Sequence, residues 1–440
     1  MIKIGSKIKQ VIERDRRVIF STTRQEYPFV PEKTDGEIVY DIEGNRFIDF
    51  TSFISVYNFG SEGLGLARRA IHAQVDKLMH AAFLDFYSPL PVNAAEKLVS
   101  LLPKGFGRVF FSNSGTEANE DAIKLAKLFT KRQYILGFYN SFHGRSQGPL
   151  GITSSRSIQR DHFGPFPNTI HAIYPYPYRC AFHSANSEEC ANDCLNFIEE
   201  FVFRKLVSPE EIAGILFEPV QGEGGYIVPP KEFIVGLRKL AYENNILLID
   251  DEVQAGIMRT GRFVALDNFG VSADIYTFAK ALGGGLPLGA TVARRSLGDT
   301  PEGSHAGTFG GNLAAIAASD ALLDYIKANK QKLEGMVREK GSRIMKRLKE
   351  LETDYEIIGE ARGIGMMLAI ELVKDKSSKE PAHKERNEII KNCFMNGLVL
   401  LPAGVSSIRI IPPITMSNEN IEKGISILES AVKSVASKMR

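Results

Sequence analysis

Short apolar runs separated by amphipathic stretches dominate the middle of the chain. RVFFSN (108–113) reads as a buried strand. The segment 116–132 then places Ala118, Ala122, Leu125, Ala126 and Phe129 on one side at helical spacing. YILGFY (134–139), EIAGILFEPV (211–220), NILLIDDEV (245–253) and DIYTFAK (274–280) repeat the strand pattern, and ATVAR (290–294) supplies a sixth. Apolar strands alternating with helices predict an α/β fold with a mostly parallel sheet covered on both faces. In such a sheet binding residues gather at the C-terminal strand ends.

The pattern changes after about residue 320. The run 319–352 is charged and amphipathic and predicts one or two long helices. RGIGMMLAIELV (362–373) alternates like a strand, the segment 383–398 reads as a helix, and SIRIIPP (407–413) as another strand. Near the N-terminus, 37–52 reads as a hairpin turning at Glu43-Gly44-Asn45. These signals divide the chain into a large domain at 60–325 and a smaller α+β domain at 326–440, which the 1–59 segment joins.

Composition removes several function classes. The chain has 440 residues, 44% of them hydrophobic and 24% charged, with a formal net charge of +2 and charges of both signs interspersed. Neither nucleic acid nor a membrane surface is implied as a partner. The first residues lack an apolar signal core, and no run approaches transmembrane length, so a cytoplasmic location is expected. Of four cysteines, Cys180, Cys190 and Cys194 cluster around His183. Their spacing matches none of the common zinc fingers and reads as a surface excursion, with no metal site expected.

The chemistry sits at the strand ends. Lys280 closes the fifth apolar run and opens onto Gly283, Gly284 and Gly285, while Asp251 closes the fourth. An amine for a Schiff base and a carboxylate to keep a pyridine nitrogen protonated are the two groups that pyridoxal phosphate (PLP) chemistry requires. Asn113-Ser114-Gly115-Thr116 lies between a strand and a helix, where free amides favour an anion, although Ser114 and Glu117 also form a plain capping box. Phe142, beside His143, Gly144 and Arg145, offers an aromatic face for a flat ring. Arg145 at a strand exit suits a carboxylate. Glu218 through Gly225 places two acids and three glycines at the end of the third strand. No Walker loop or dinucleotide fingerprint competes with this reading.

The motifs SGTEAN, FHGR, EPVQGEGG, LLIDDEVQAGIMRTGRF, TFAKALGGGLPLGA, GTFGGN and IRIIPP resemble the class III aminotransferases, PLP-dependent enzymes of fold type I. The resemblance runs from about Glu37 to Pro413 and is strongest to 4-aminobutyrate aminotransferases. It implies that Lys280 carries the cofactor and shuttles protons, with Asp251 paired to the pyridine nitrogen. Phe142 and Val253 would flank the ring, Gln254 would bind its 3-hydroxyl, and Gly115 and Thr116 would hold the phosphate. Thr308 would reach the phosphate of a neighbouring subunit, in a homodimer or a tetramer of such dimers. Arg409 would take an α-carboxylate, Glu223 would neutralise Arg409 when that carboxylate is missing, Arg145 would grip a distal carboxylate, and Ile54 would line the pocket. The implied reaction is ping-pong transfer of an amino group from an ω-amino acid to 2-oxoglutarate. Amino acid racemisation on the same scaffold is the alternative. Where family members carry a G-H-x-H-P run, this chain reads NFGSEGLGLARRA, a departure at the pocket entrance.

Overall fold

The computed structural model describes residues 2–22, 26–166 and 168–439. Two compact units make up the chain: Gly65–Val337, and Met1–Leu64 together with Arg338–Arg440. Among the described residues, no helix is long and apolar enough to cross a membrane.

The Gly65–Val337 unit is built on a seven-stranded sheet. Its strands are β1 (Phe106–Ser112), β2 (Tyr134–Phe138), β3 (Thr169–Ala172), β4 (Ile212–Phe217), β5 (Leu247–Asp251), β6 (Ile275–Phe278) and β7 (Gly289–Arg294). They lie in the order β1-β7-β6-β5-β4-β2-β3. Neighbours from β6 to β3 are parallel, and β7 runs antiparallel to both β1 and β6. The 290–294 run therefore forms a strand, but one of opposite direction. The remaining six strands point their C-terminal ends to one edge of the sheet. The whole of β4 is buried, which explains why its sequence is continuously apolar rather than alternating. Edge strand β3 has only four residues, Thr-Ile-His-Ala, and no apolar run announces it.

The helix Gly115–Thr130 covers one face of this sheet. Its Ala122, Ile123 and Ala126 pack with Ile135, Ala213, Leu216, Ile249 and Ile275. Ser114 caps it by accepting from the Glu117 N–H at 3.3 Å, and the Glu117 carboxylate reaches back to the Asn113 N–H at 2.5 Å. The cysteine segment is not the surface excursion its spacing suggested. Cys190 and Cys194, four apart on the helix Ser187–Phe197, both face inward and are buried. Their thiols and those of half-buried Cys180 and buried Cys393 are unbridged.

The second unit holds two small sheets. In the hairpin Ile38–Asp41/Arg46–Asp49, Asp41 Oδ1 accepts from the N–H groups of Glu43 and Asn45 at 3.0 and 2.9 Å. This Asx arrangement stabilises the turn. The run 362–373 is not a single strand. It reverses at Gly365 (φ 59°), so Ile358–Ile364 and Met367–Leu372 pair antiparallel. An aromatic cluster of Tyr27, Phe29, Phe47 and Phe394 anchors the unit, with Tyr27 and Phe394 stacked at 4.4 Å. Residues Ser52, Phe53, Ile54 and Ser55 form a left-handed turn (φ 47°, 49°, 62° and 61°). Left-handed backbone costs about 1–2 kcal/mol per non-glycine residue, so this turn stores strain that its surroundings must hold. Asp49 Oδ1 accepts from Thr51 N–H and Oγ1, Thr51 Oγ1 accepts from Phe53 N–H, and Ser52 Oγ binds Ile411 O.

Candidate active site

Asp251 ends β5 and is buried, pairing across to Thr277 of β6. Lys280 stands three residues beyond Thr277, half-buried, with φ 48°. A lysine in the left-handed region is held there by its context. Extended Ala279 precedes it, and Gly284 and Gly285 follow with φ 58° and 107°. Gly284 admits no side chain, because a Cβ there would lie 2.9 Å from Leu322 Cδ1 and 3.0 Å from Ala67 Cβ. Adjacent parallel strands thus carry the acid and the amine to the same sheet edge.

Three donors hold the Asp251 carboxylate. Asn119 Nδ2 donates to Oδ2 at 2.7 Å, His143 Nδ1 meets the same oxygen at 2.7 Å, and Val253 N–H donates to Oδ1 at 3.0 Å. Asn119, on the 115–130 helix, is the hub of this arrangement. Its Nδ2 also donates to His143 O at 2.8 Å, and its Oδ1 accepts from Thr277 Oγ1 at 2.7 Å. One amide therefore links the helix, both strands and the FHGR turn. His143 N–H is fixed by Thr153 Oγ1 at 2.9 Å, while its Nε2 is buried and meets no partner among the described residues. With Nδ1–H directed at the acid, the imidazole donates to Asp251 Oδ2 and fixes the orientation of the carboxylate.

The loops around this pair meet closely. A Cβ at Gly115 would lie 2.9 Å from Val253 Cγ1, which brings the first helical residue against the segment after Asp251. Gly144 (φ 131°) is required because a Cβ would sit 2.1 Å from Thr116 Oγ1. That Thr116 oxygen accepts from the N–H groups of Arg145 and Ser146, both at 3.1 Å. The Thr116 hydroxyl is thus engaged by the FHGR turn, and the helix offers an anion its terminal amides. The N–H groups of Gly115 and Thr116 are the first of the helix and have no intrahelical partner. Gln254 accepts from Tyr226 Oη at 2.7 Å. Arg145 is exposed, its guanidinium 5.7 Å over the Phe142 ring.

Buried acids set the electrostatics. Burial pushes Glu218 up to about 7, helped by Asp251 and opposed by His143 and the N–H groups of Gly222 and Phe142. Burial likewise lifts Glu252 to about 7 and raises Asp250 well above the carboxylate range, with Glu252 adding to the Asp250 shift. Strand alternation points those two side chains away from the Asp251 side. Glu223, on the loop after β4, is half-buried.

Three further expected residues sit on other elements. Thr308 is exposed on the turn before the helix Leu313–Asp354. Ile54 and Arg409 belong to the other unit. Ile54 is 39% exposed within the strained turn, and buried Arg409 donates from Nε and Nη2 to Pro402 O at 3.0 and 2.7 Å. Conversely, Asn119, Thr277 and the Asp251 contact of His143 escaped the sequence reading. The only sign of Asn119 is a polar residue beside the apolar stripe of its helix.

A buried, triply held carboxylate beside a lysine, with helix amides and an aromatic close by, fits PLP. Fold and site define a PLP-dependent enzyme. The chain belongs to the class III aminotransferase family, whose model matches residues 19–432. It is 35% identical over 429 residues to a leucine/methionine racemase from Thermococcus litoralis, covering 97% of this chain and 96% of the relative. A probable 4-aminobutyrate aminotransferase from Bacillus subtilis is 34% identical over 405 residues, covering 91% and 92%. Among solved structures, taurine:2-oxoglutarate aminotransferase from Bifidobacterium kashiwanohense, in complex with PLP and glutamate, superposes with a TM-score of 0.91 at 28% identity over the full length of both chains.

Proposed function

We propose that this enzyme transfers an amino group from an ω-amino acid, 4-aminobutyrate first among them, to 2-oxoglutarate in a ping-pong cycle. The observation that carries the donor assignment is Arg145. Its guanidinium is exposed beside the Phe142 ring and, among the described residues, meets no carboxylate. A cation there suits the far carboxylate of a substrate whose amine points at Lys280.

When bound, PLP supplies the electron sink that lets the C–H bond beside the substrate nitrogen break. Lys280 Nζ takes that proton and returns it. Asp251, held in place by Asn119, His143 and the Val253 amide, is the partner that keeps the pyridine nitrogen protonated. The amides of Gly115 and Thr116 bind the phosphate, Phe142 and Val253 flank the ring, and Gln254 binds the 3-hydroxyl. Thr308 completes the phosphate site of a second copy in a cytoplasmic homodimer. Arg409 takes the α-carboxylate of 2-oxoglutarate, Glu223 neutralises that arginine when 4-aminobutyrate is bound, and Ile54 lines the pocket.

A racemase is the second reading, favoured by the leucine/methionine racemase similarity across 97% of the chain. Both readings share the proton abstraction by Lys280 and differ in where the proton returns. A panel of amino donors with 2-oxoglutarate, run beside single L-amino acids without a keto acid, separates them. Glutamate formation from 4-aminobutyrate supports transfer. Loss of optical rotation without an acceptor, with no glutamate in the panel, assigns racemisation.

A further inference from the structure

We propose that Glu218 is a positioning residue that staples the turn carrying Phe142 to the loop carrying Glu223. The carboxylate is 5% exposed and follows β4 directly. Its Oε2 accepts from the Phe142 N–H at 3.0 Å, and its Oε1 accepts from the Gly222 N–H at 2.9 Å. One side chain therefore grips two segments that lie far apart in the chain. Tyr174 Oη fixes the backbone of the staple by donating to Glu218 O at 2.9 Å.

The two segments are in contact at other points. Gln221 Nε2 donates to Tyr139 O at 2.8 Å, and a Cβ at Gly224 would lie 2.6 Å from Asn140 O. Gly222 is equally confined, with Gln254 Nε2 only 2.5 Å from where its Cβ would be. Small movements of this loop thus reach Gln254 and Glu223 together. The titratable groups facing Glu218 are His143, Asp251 and Tyr174.

A carboxyl group serves both contacts, because each of its oxygens can accept. Two N–H donors approach its two oxygens, and a carboxylate accepts at each. A glutamine in its place would turn an NH2 group toward one of those donors. Aspartate lacks the methylene needed to span both. The catalytic consequence rests on the proposed roles of Phe142 and Glu223, whereas the staple itself does not.

Hydrogen exchange read by mass spectrometry tests the staple without substrate turnover, so its result is independent of the donor assignment. Full-length wild type, Glu218→Gln and Glu218→Ala are compared, as purified and saturated with PLP. In Glu218→Gln, exchange is expected to rise about tenfold in peptides covering 139–146 or 219–226. Peptides covering β2 and β5 keep wild-type rates, and the visible circular dichroism of the bound cofactor changes in parallel. Glu218→Ala loosens both segments. Wild-type exchange in both segments overturns the proposal. So does an equal rise throughout the sheet, which marks an acid serving the fold alone; loosened loops with unchanged cofactor dichroism uphold the staple and overturn the proposed role of Phe142 beside the ring. Should Glu218→Ala not fold, the Glu218→Gln exchange pattern decides alone.

Discussion

Replacing Asn119 with alanine removes three hydrogen bonds at once. The Asp251 carboxylate loses its 2.7 Å donor, and loss of a bond to a buried charge costs about 1.5–3 kcal/mol. His143 O and the fully buried Thr277 hydroxyl lose their partners at 2.8 and 2.7 Å, each costing about 1 kcal/mol where water does not replace the amide. Together these give about 3.5–5 kcal/mol, a large share of a domain's usual stability. For a unit of this size the loss corresponds to a fall in melting temperature of about 10 °C. Thermal unfolding of the cofactor-free protein at one fixed scan rate measures it. Asn119→Asp should fall further, since it sets a second negative charge against Asp251. An Asn119→Ala protein melting within about 2 °C of wild type would refute the reasoning. So would Asn119→Asp being the more stable of the two.

Three further outcomes are expected. Glu218 and Glu252 have folded pKa values of about 7 against an ordinary 4.5. A raised acid binds its proton more tightly when folded, so its contribution is fully present below about pH 4.5 and is lost as pH rises towards 7. At 1.36 kcal/mol per pKa unit this is about 3 kcal/mol for each acid. Urea unfolding at pH 5 and pH 8 should show lower stability at pH 8, and Glu252→Gln should flatten the difference. Gly144→Ala places a methyl 2.1 Å from Thr116 Oγ1 at a φ of 131°; PLP retention on dialysis should drop at least tenfold through displacement of the Thr116 turn. Cys180 is half-buried with its thiol pulled below the ordinary value by Cys190 and Ser184, against the effect of burial. Burial pushes Cys190 up to about 12 and raises Cys194 and Cys393 as well. Iodoacetamide at neutral pH should therefore label Cys180 first, as peptide mapping would show.

The strands were legible because a sheet buried on both faces leaves continuous apolar runs, as in β4 and β5. Lys280 and Asp251 stood out for a related reason, since each interrupts such a run with a charge. Edge strand β3 was silent, because four residues with one threonine and one histidine carry no periodicity. The reversal at Gly365 was hidden by alternation that continues through the hairpin. Asn119 was invisible for a different reason. Helical periodicity reports which face is apolar, whereas the value of Asn119 lies in one amide meeting three elements that are remote in sequence. The left-handed turn at 52–55 was equally hidden, because no glycine marks it and Asp49, Thr51 and Ile411 hold it from outside.

The central claim is amino transfer through Lys280 from a donor whose carboxylate meets Arg145. Single-turnover mixing of the PLP-loaded enzyme with 4-aminobutyrate, followed by 2-oxoglutarate, tests it most directly. The cofactor's visible absorbance is expected to be lost in the first step and to return with one equivalent of glutamate in the second, with an Arg145→Ala variant slowed in the first step. Unchanged absorbance with 4-aminobutyrate, alongside racemisation of an L-amino acid without any keto acid, would contradict it.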